Sequence, residues 1–284
     1  MKPLQQYTFL KALRPFSLAV AIVSCGLGIL IAWNDGFQNI TSAILIMLGG
    51  IFAQAGINLI NDIEDIPLIP NEHKHYTIIK GRIKYNVRAG IAFFILATLI
   101  GIYLVTIQGW PLFLLIFASG LASLSYNIGP LSLKHHGLAM IQVFILMGIL
   151  MVQGAYLAMS GKFSIIALLH SLPISFLISV LLLSNELRDW ETDKQKGVQT
   201  LTVRIGYQKS LYLYWLLIAT SYFLAIVFFI NGQLHQLLWL LTPLPLLIPI
   251  KKYLAASNRI KLTPMTGRFF FFFGLAYLMA LGTH

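Results

Sequence analysis

Nearly all the acid in this chain stands in two short stretches. Nine Asp and Glu occur among 284 residues, and eight of them form two clusters. Asp62, Glu64, Asp65 and Glu72 follow Asn58; Glu186, Asp189, Glu191 and Asp193 follow Asn185. Read as helix, Asn58, Asp62 and Asp65 fall at i, i+4 and i+7, and Asn185, Asp189 and Asp193 at i, i+4 and i+8, so each set shares one face. Glu64 and Glu191 point elsewhere, and Glu186 sits at the margin. Carboxylates gathered at a hydrocarbon boundary repel one another and resist desolvation. A divalent cation relieves both costs. Magnesium takes one or two carboxylates and fills its shell with water and phosphate oxygens. Two such helix ends facing each other would hold about two or three magnesium ions around a diphosphate, and the sequence has no Gly-rich phosphate loop to do that work instead. Asp62, Asp65, Asp189 and Asp193 are therefore the expected metal ligands and catalytic acids. The competing account is that these acids only pair with the Lys and Arg at 74–88 and 188–209. The metal is favoured because the one-face spacing occurs twice and because the loops at 127–137 and 251–266 hold no acid.

The elements that must position these acids are membrane helices. The chain is 58% apolar and 10% charged, and runs of about 20 apolar residues are long enough to cross a bilayer. Nine are expected, at 16–33, 40–60, 87–107, 110–126, 138–159, 164–184, 211–230, 234–250 and 267–283. The eighth contains Pro243, Pro245 and Pro249 and is expected to be kinked or broken. With nine spans, 19 of the 20 Lys and Arg fall on the side of the N-terminus, and only Lys162 lies opposite. Basic residues concentrate in cytoplasmic loops, so the N-terminus is expected inside, with both acidic clusters on that same side. The net charge of +11 then reflects orientation and an anionic lipid surface rather than nucleic-acid binding. The expected architecture is an all-α, polytopic integral membrane protein. One bundle domain is expected over 1–284, with aspartate-rich cytoplasmic loops at 58–86 and 185–210.

Other features are given plainer roles. The single cysteine, Cys25, excludes a disulfide framework; Ile22-Val-Ser-Cys25 resembles a lipoprotein cleavage site, but an uncleaved first helix is expected. Glu72-His73-Lys-His75 reads as a solvated loop rather than a zinc site. His135-His136 reads as a consequence of loop placement. The run Phe269 to Phe273 is expected to face lipid. Gly49-Gly50, Ala118/Ala122 and Gly148/Gly154 are expected to let helices approach closely.

One pattern is specific enough to name. Asn185-x-x-Arg188-Asp189-x-x-x-Asp193-x-x-x-Gly197-x-x-Thr200-Leu-x-Val203-Arg204-x-Gly206 resembles the second aspartate-rich motif of the UbiA superfamily of membrane prenyltransferases. Its flavour is that of the branch acting on 1,4-dihydroxy-2-naphthoate in menaquinone biosynthesis. Arg14-Pro15-Phe-Ser-Leu resembles the family's approach to its first helix, Asn61-Asp62-x-x-Asp65 the start of its first acidic motif, and Gly81-Arg82-Ile83 the step before its third helix. Tyr126-x-x-x-Pro130-Leu-x-Leu and Gly137-Leu138 resemble the loop after its fourth. The resemblance spans nearly the whole chain. The departures lie in the first half: Ile69 stands where a third aspartate is usual, Tyr76-Thr77 where an Arg-Pro pair is usual, and Met140 where a glutamate is common.

The resemblance implies transfer of an isoprenyl chain from an allylic polyprenyl diphosphate to an acceptor, often aromatic. Metals on the four aspartates would balance charge developing on the leaving diphosphate. Asn58, Asn185, Lys80, Arg82, Arg188 and Lys194 are the expected diphosphate partners, and Tyr126 and Tyr156 the expected aromatic walls for an allylic cation. The implied cofactor is Mg2+. The implied partners are the two substrates and the lipid bilayer, with no nucleic acid and no obligate protein partner. The expected location is a bacterial inner membrane with the site facing the cytoplasm. The alternatives are another acceptor (4-hydroxybenzoate, haem, chlorophyllide or a glycerol phosphate), a non-enzymatic homologue, or an ion-coupled transporter. A transporter would place its ionisable groups near the bilayer midplane.

Overall fold

A computed structural model of the chain describes residues 3–69, 75–124 and 137–282. Two short helices, α1 (Pro3–Gln6) and α2 (Phe9–Ala12), precede α3 (Pro15–Asn34) and α4 (Ile40–Asn61). A 3-10 segment, Asp62–Leu68, continues from α4. Then come α5 (Tyr76–Gln108), α6 (Trp110–Leu124), α7 (Ala139–Val143), a π-helical stretch (Phe144–Leu150) and α8 (Met151–Ser160). The second half holds α9 (Ile165–Gln195), α10 (Leu201–Ile205), α11 (Tyr207–Ile230), α12 (Leu247–Ala255) and α13 (Leu262–Gly282). Among the described residues there is no strand.

Eight helical stretches among the described residues are long and apolar enough to cross a bilayer, where nine were expected. The difference is the fourth expected span. Its helix, α6, has 15 residues, or about 22 Å at 1.5 Å per residue, and description stops at its end. The chain is an integral membrane protein. The prolines break the eighth span as anticipated: 3-10 turns at Leu237–Leu241 and Leu244–Leu246 replace regular helix until α12 begins.

Two helices outrun their expected limits on the acidic side. α5 starts at Tyr76 rather than 87, and α9 runs on to Gln195 rather than stopping at 184. Each extension is eleven residues, about 16 Å of helix. Helix therefore carries much of what the sequence suggested as loop.

Close approach by small residues sets the packing, since in lipid it is contact rather than hydrophobicity that drives helices together. A Cβ on Gly28 would lie 2.3 Å from the Val152 carbonyl oxygen, so α3 and α8 touch there. Gly56 and Gly90 face each other where α4 crosses α5. Gly50 receives the Cys25 sulfur, and Gly148 the Ser175 side chain. The phenylalanine run does not face lipid as expected. Phe269, Phe270 and Phe273 are fully buried, and only Phe272 of the run is exposed. The buried rings form a core with Tyr277 and the α11 face that carries Tyr214 and Phe228.

Candidate functional site

The first acidic pair sits on the 3-10 turn rather than on regular helix. With three residues per turn, positions i and i+3 eclipse, which brings Asp62 and Asp65 to one side. Asp62 is 5% exposed, and its Oδ1 accepts from Arg14 Nη2 at 2.9 Å. Asp65 Oδ2 accepts the Tyr7 hydroxyl at 3.0 Å. Burial, then that bond and the charges of Asp65 and Asp62, push the Tyr7 hydroxyl above the ordinary tyrosine pKa. Asn86 donates to the Tyr7 carbonyl.

Asn58 does not serve this site as the sequence suggested. Its amide nitrogen donates to the Leu13 carbonyl at 2.8 Å and to Ser17 Oγ at 2.6 Å, while its oxygen accepts from Gln54. An amide nitrogen has two hydrogens, so neither is left for a diphosphate. Ile69, in the place of the usual third acid, packs with Ile66, Tyr7, Ile79 and Ile83 in a small apolar cluster. Its surroundings are those of a packing residue.

The second pair stands on α9, one turn apart. Asp189 and Asp193 are half-buried, with half-buried Asn185 a turn before them. Arg188 binds the Asp189 carboxylate through Nε (2.8 Å) and Nη2, and reaches Thr263 Oγ1 on α13 through Nη1 at 3.2 Å. The remaining glutamates hold other elements. Buried Glu186 accepts from Thr202 on α10. Glu191 takes both its contacts, at 2.8 Å, from Arg259, whose guanidinium lies over the Tyr207 ring. Lys194 lies over Trp190, and Lys80 over Tyr76, to whose hydroxyl it also donates. Arg82, with Tyr7, Phe9 and Tyr85, lines a cleft of about 450 Å³ beside the first pair.

Both pairs lie at one end of the bundle. Asp62 holds Arg14 at the start of α3, and Phe16, two residues on, packs where a Cβ of Gly267 would stand, at 2.7 Å. Four residues before Gly267, Thr263 holds Arg188, the neighbour of Asp189. At the other end of α3, Asn34 donates to the Leu281 carbonyl near the end of α13, so the two helices run parallel. That far end is where Tyr156 lies, its hydroxyl 2.7 Å from Asp35. Since α3 spans about 30 Å, Tyr156 is a helix length from the acids and is no wall of their site. Tyr126, Glu72 and His135-His136 lie outside the described residues.

Among the described residues, no three His, Cys, Asp or Glu side chains converge as a metal cluster. What is present is carboxylates in pairs, hard oxygen donors of the kind and number magnesium takes from protein before phosphate and water complete its shell. The donor set fits that ion, provided Asp62 and Asp189 exchange their arginine partners for it. Sequence reasoning missed Tyr7 and the contact of Arg14. The available signal was the Arg14-Pro15 pair at a helix start.

An all-helical membrane protein with two carboxylate pairs at one end of its bundle defines a narrow class. A profile of the UbiA prenyltransferase family matches residues 19–276, and the chain belongs to that family. It is 26% identical over 281 residues to UbiA prenyltransferase domain-containing protein 1 of Xenopus tropicalis, covering 96% of this chain and 81% of that one. It is 28% identical to the Drosophila melanogaster homolog of that protein, covering 96% and 79%. Among solved structures, a UbiA homolog from Archaeoglobus fulgidus bound to GPP and Mg2+ superposes with a TM-score of 0.62 at 18% identity, covering 95% and 99%. A digeranylgeranylglyceryl phosphate synthase superposes at 0.60 with 20% identity, covering 99% of each.

Proposed function

We propose that this chain moves an isoprenyl group from an allylic polyprenyl diphosphate to an aromatic acceptor, with magnesium held by Asp62, Asp65, Asp189 and Asp193. The observation that carries the reading is the placement of two carboxylate pairs at one end of the bundle, linked through Arg14, Phe16, Gly267, Thr263 and Arg188. The Archaeoglobus homolog that shares the fold was solved with a prenyl diphosphate and Mg2+. Bound magnesium would supply Lewis-acid charge to the diphosphate oxygens. The chain's own part is to hold its carboxylates in pairs, to offer cationic donors beside them, and to exclude water. Arg188, fixed between Asp189 and Thr263, is the best placed donor, with Lys80, Arg82, Lys194 and Asn185 at the same end. The acceptor favoured by the second motif is 1,4-dihydroxy-2-naphthoate, which would place the reaction in menaquinone biosynthesis. The two sequence relatives described above come from Xenopus and Drosophila, so the location proposed is confined to sidedness: the acidic end faces the cytoplasm, on the distribution of Lys and Arg.

The test offers the purified protein a panel of labelled prenyl diphosphates and acceptors, with magnesium and with EDTA. Magnesium-dependent product from one pair sustains the reading. Turnover that survives EDTA, or continues at the parent rate in Asp62→Ala and Asp189→Ala, would sink it. A non-catalytic homologue is the second reading, favoured by Ile69 and by the arginine pairing of Asp62 and Asp189. Absence of product from every pair would support it.

A further inference from the structure

Arg14 is the single non-glycine residue at positive φ among the described residues, at φ 48 and ψ 70. The left-handed region is unfavourable for an L-residue because its Cβ crowds the following carbonyl oxygen, so something must hold it there. Asn58 does so from both sides. Its buried amide, 3% exposed, binds the carbonyl just before Arg14 and the hydroxyl of Ser17, three residues after it. Pro15 follows at the first position of α3, with its φ already set for helix. The outcome of this geometry is one contact: the Arg14 guanidinium on Asp62.

The two partners of that contact are unlike. The Asp62 side chain is 7% exposed and that of Arg14 50%. Asp62 is fixed and screened from water, with Asp65 beside it, whereas Arg14 reaches in from a half-solvated position and can withdraw into water. Removing one partner of a buried pair leaves a costly unpaired group, so the Asp62 carboxylate calls for a cation against it, and Arg14 is the one the chain places there.

We propose that Arg14 is a built-in placeholder for the divalent cation at the first acidic pair, and that Asn58 is the residue that positions it. Arg14 occupies and orients the Asp62 carboxylate while no metal is bound, and yields it when a divalent ion arrives. The inference rests on the reading that Asp62 takes a metal, and adds that arginine and metal compete for it. This gives Asn58 a positioning role in place of the diphosphate contact expected from the sequence.

Competition has a sign that a purely structural ion pair lacks. Mn2+ is titrated into the purified protein without prenyl substrate, and free ion is read by electron paramagnetic resonance. Arg14→Gln is expected to bind Mn2+ about tenfold more tightly than the parent, the scale of one charge-assisted hydrogen bond. Arg14→Lys is expected to return affinity toward the parent value, and Asp62→Asn in the Arg14→Gln background to abolish the gain. Equal or weaker binding in a folded Arg14→Gln protein overturns the placeholder, as does the absence of binding in both forms. The transferase reading is judged separately, by turnover. Should Arg14→Gln not fold, the parent carries the test: Mg2+ is expected to raise amide hydrogen exchange across Leu13–Ser17, and unchanged exchange overturns the proposal.

Discussion

The carboxylate of Glu186 on α9 receives both the backbone N–H of Thr202, at 3.0 Å, and its hydroxyl, at 3.1 Å. Thr202 is the second residue of α10, so a buried side chain of one helix closes the open N-terminus of another. Thr200, at the N-cap, accepts from Val203 and satisfies a further donor. The chain that leaves α9 after Gln195 is thereby returned to α9, and the second acidic pair, on the last turns of α9, lies between the two anchored points Glu186 and Thr202 in sequence.

Glu186→Ala leaves the Thr202 donors buried without this acceptor, and the cost of such a loss is about 1–3 kcal/mol. The expected result is a lower unfolding temperature in detergent. Glu186→Gln, which keeps one acceptor oxygen, is expected to lose less, and Thr202→Val about 1 kcal/mol, since only the hydroxyl goes. A Glu186→Ala protein as stable as the parent would show that α10 does not depend on this bond.

Asp193 and Glu191 share the end of α9 and separate the proposed chemistry from simple charge pairing. Half of the Glu191 side chain is exposed, and its partner is Arg259, so Glu191→Gln should cost less than about 1 kcal/mol. Turnover should stay within about threefold of the parent. Asp193→Asn should lower turnover by about a hundredfold or more, the scale of losing one preorganised group that balances transition-state charge. Equal effects from the two substitutions would remove Asp193 from the site.

The spans were legible because a bilayer demands about 20 apolar residues and tolerates few exceptions. The second acidic pair was legible because regular helix continues through it, so the spacing of Asp189 and Asp193 keeps its meaning. The first pair was read in part. Asp62 and Asp65 do share a side, but through a 3-10 turn, and Asn58 does not join them because its partners, Leu13 and Ser17, lie over 40 residues away. Tyr156 was misplaced for a similar reason: spacing along one helix does not say which end of the bundle a side chain occupies. The phenylalanine run failed on composition. In lipid, an apolar residue is equally at home against tails or against protein, so apolarity alone does not choose between them.

That distinction can be measured in α13. Phe270 is fully buried, whereas Phe272 is 49% exposed. Both lose a ring on truncation, but only Phe270→Ala opens a cavity in packed protein. The cavity part of a core truncation is on the order of 2 kcal/mol or more, and the transfer part is small where the alternative environment is lipid. Phe270→Ala should lower the unfolding temperature clearly and Phe272→Ala hardly at all. Similar shifts would place the whole run at the lipid surface.

The Tyr7–Asp65 bond gives the first acidic pair a dependence on alkaline pH. The folded protein holds the Tyr7 hydroxyl above the ordinary tyrosine pKa, with burial as the larger cause and the bond to Asp65 next. A group whose pKa is raised on folding contributes stability that is complete below its unfolded value and is lost as pH rises toward the folded one. The unfolded value is about 10, so the contribution is constant through neutral pH and declines above about pH 10. Tyr7→Phe removes the bond and its titration together. The parent should be more stable than Tyr7→Phe by about 1 kcal/mol from about pH 6 to about pH 9, with the gap closing above about pH 10. Lysine and other alkaline titrations are common to both proteins and cancel in the difference. A gap that stays constant through the alkaline range would mean that the Tyr7 proton is not coupled to the fold, and a gap of zero at neutral pH would mean that the bond to Asp65 contributes nothing.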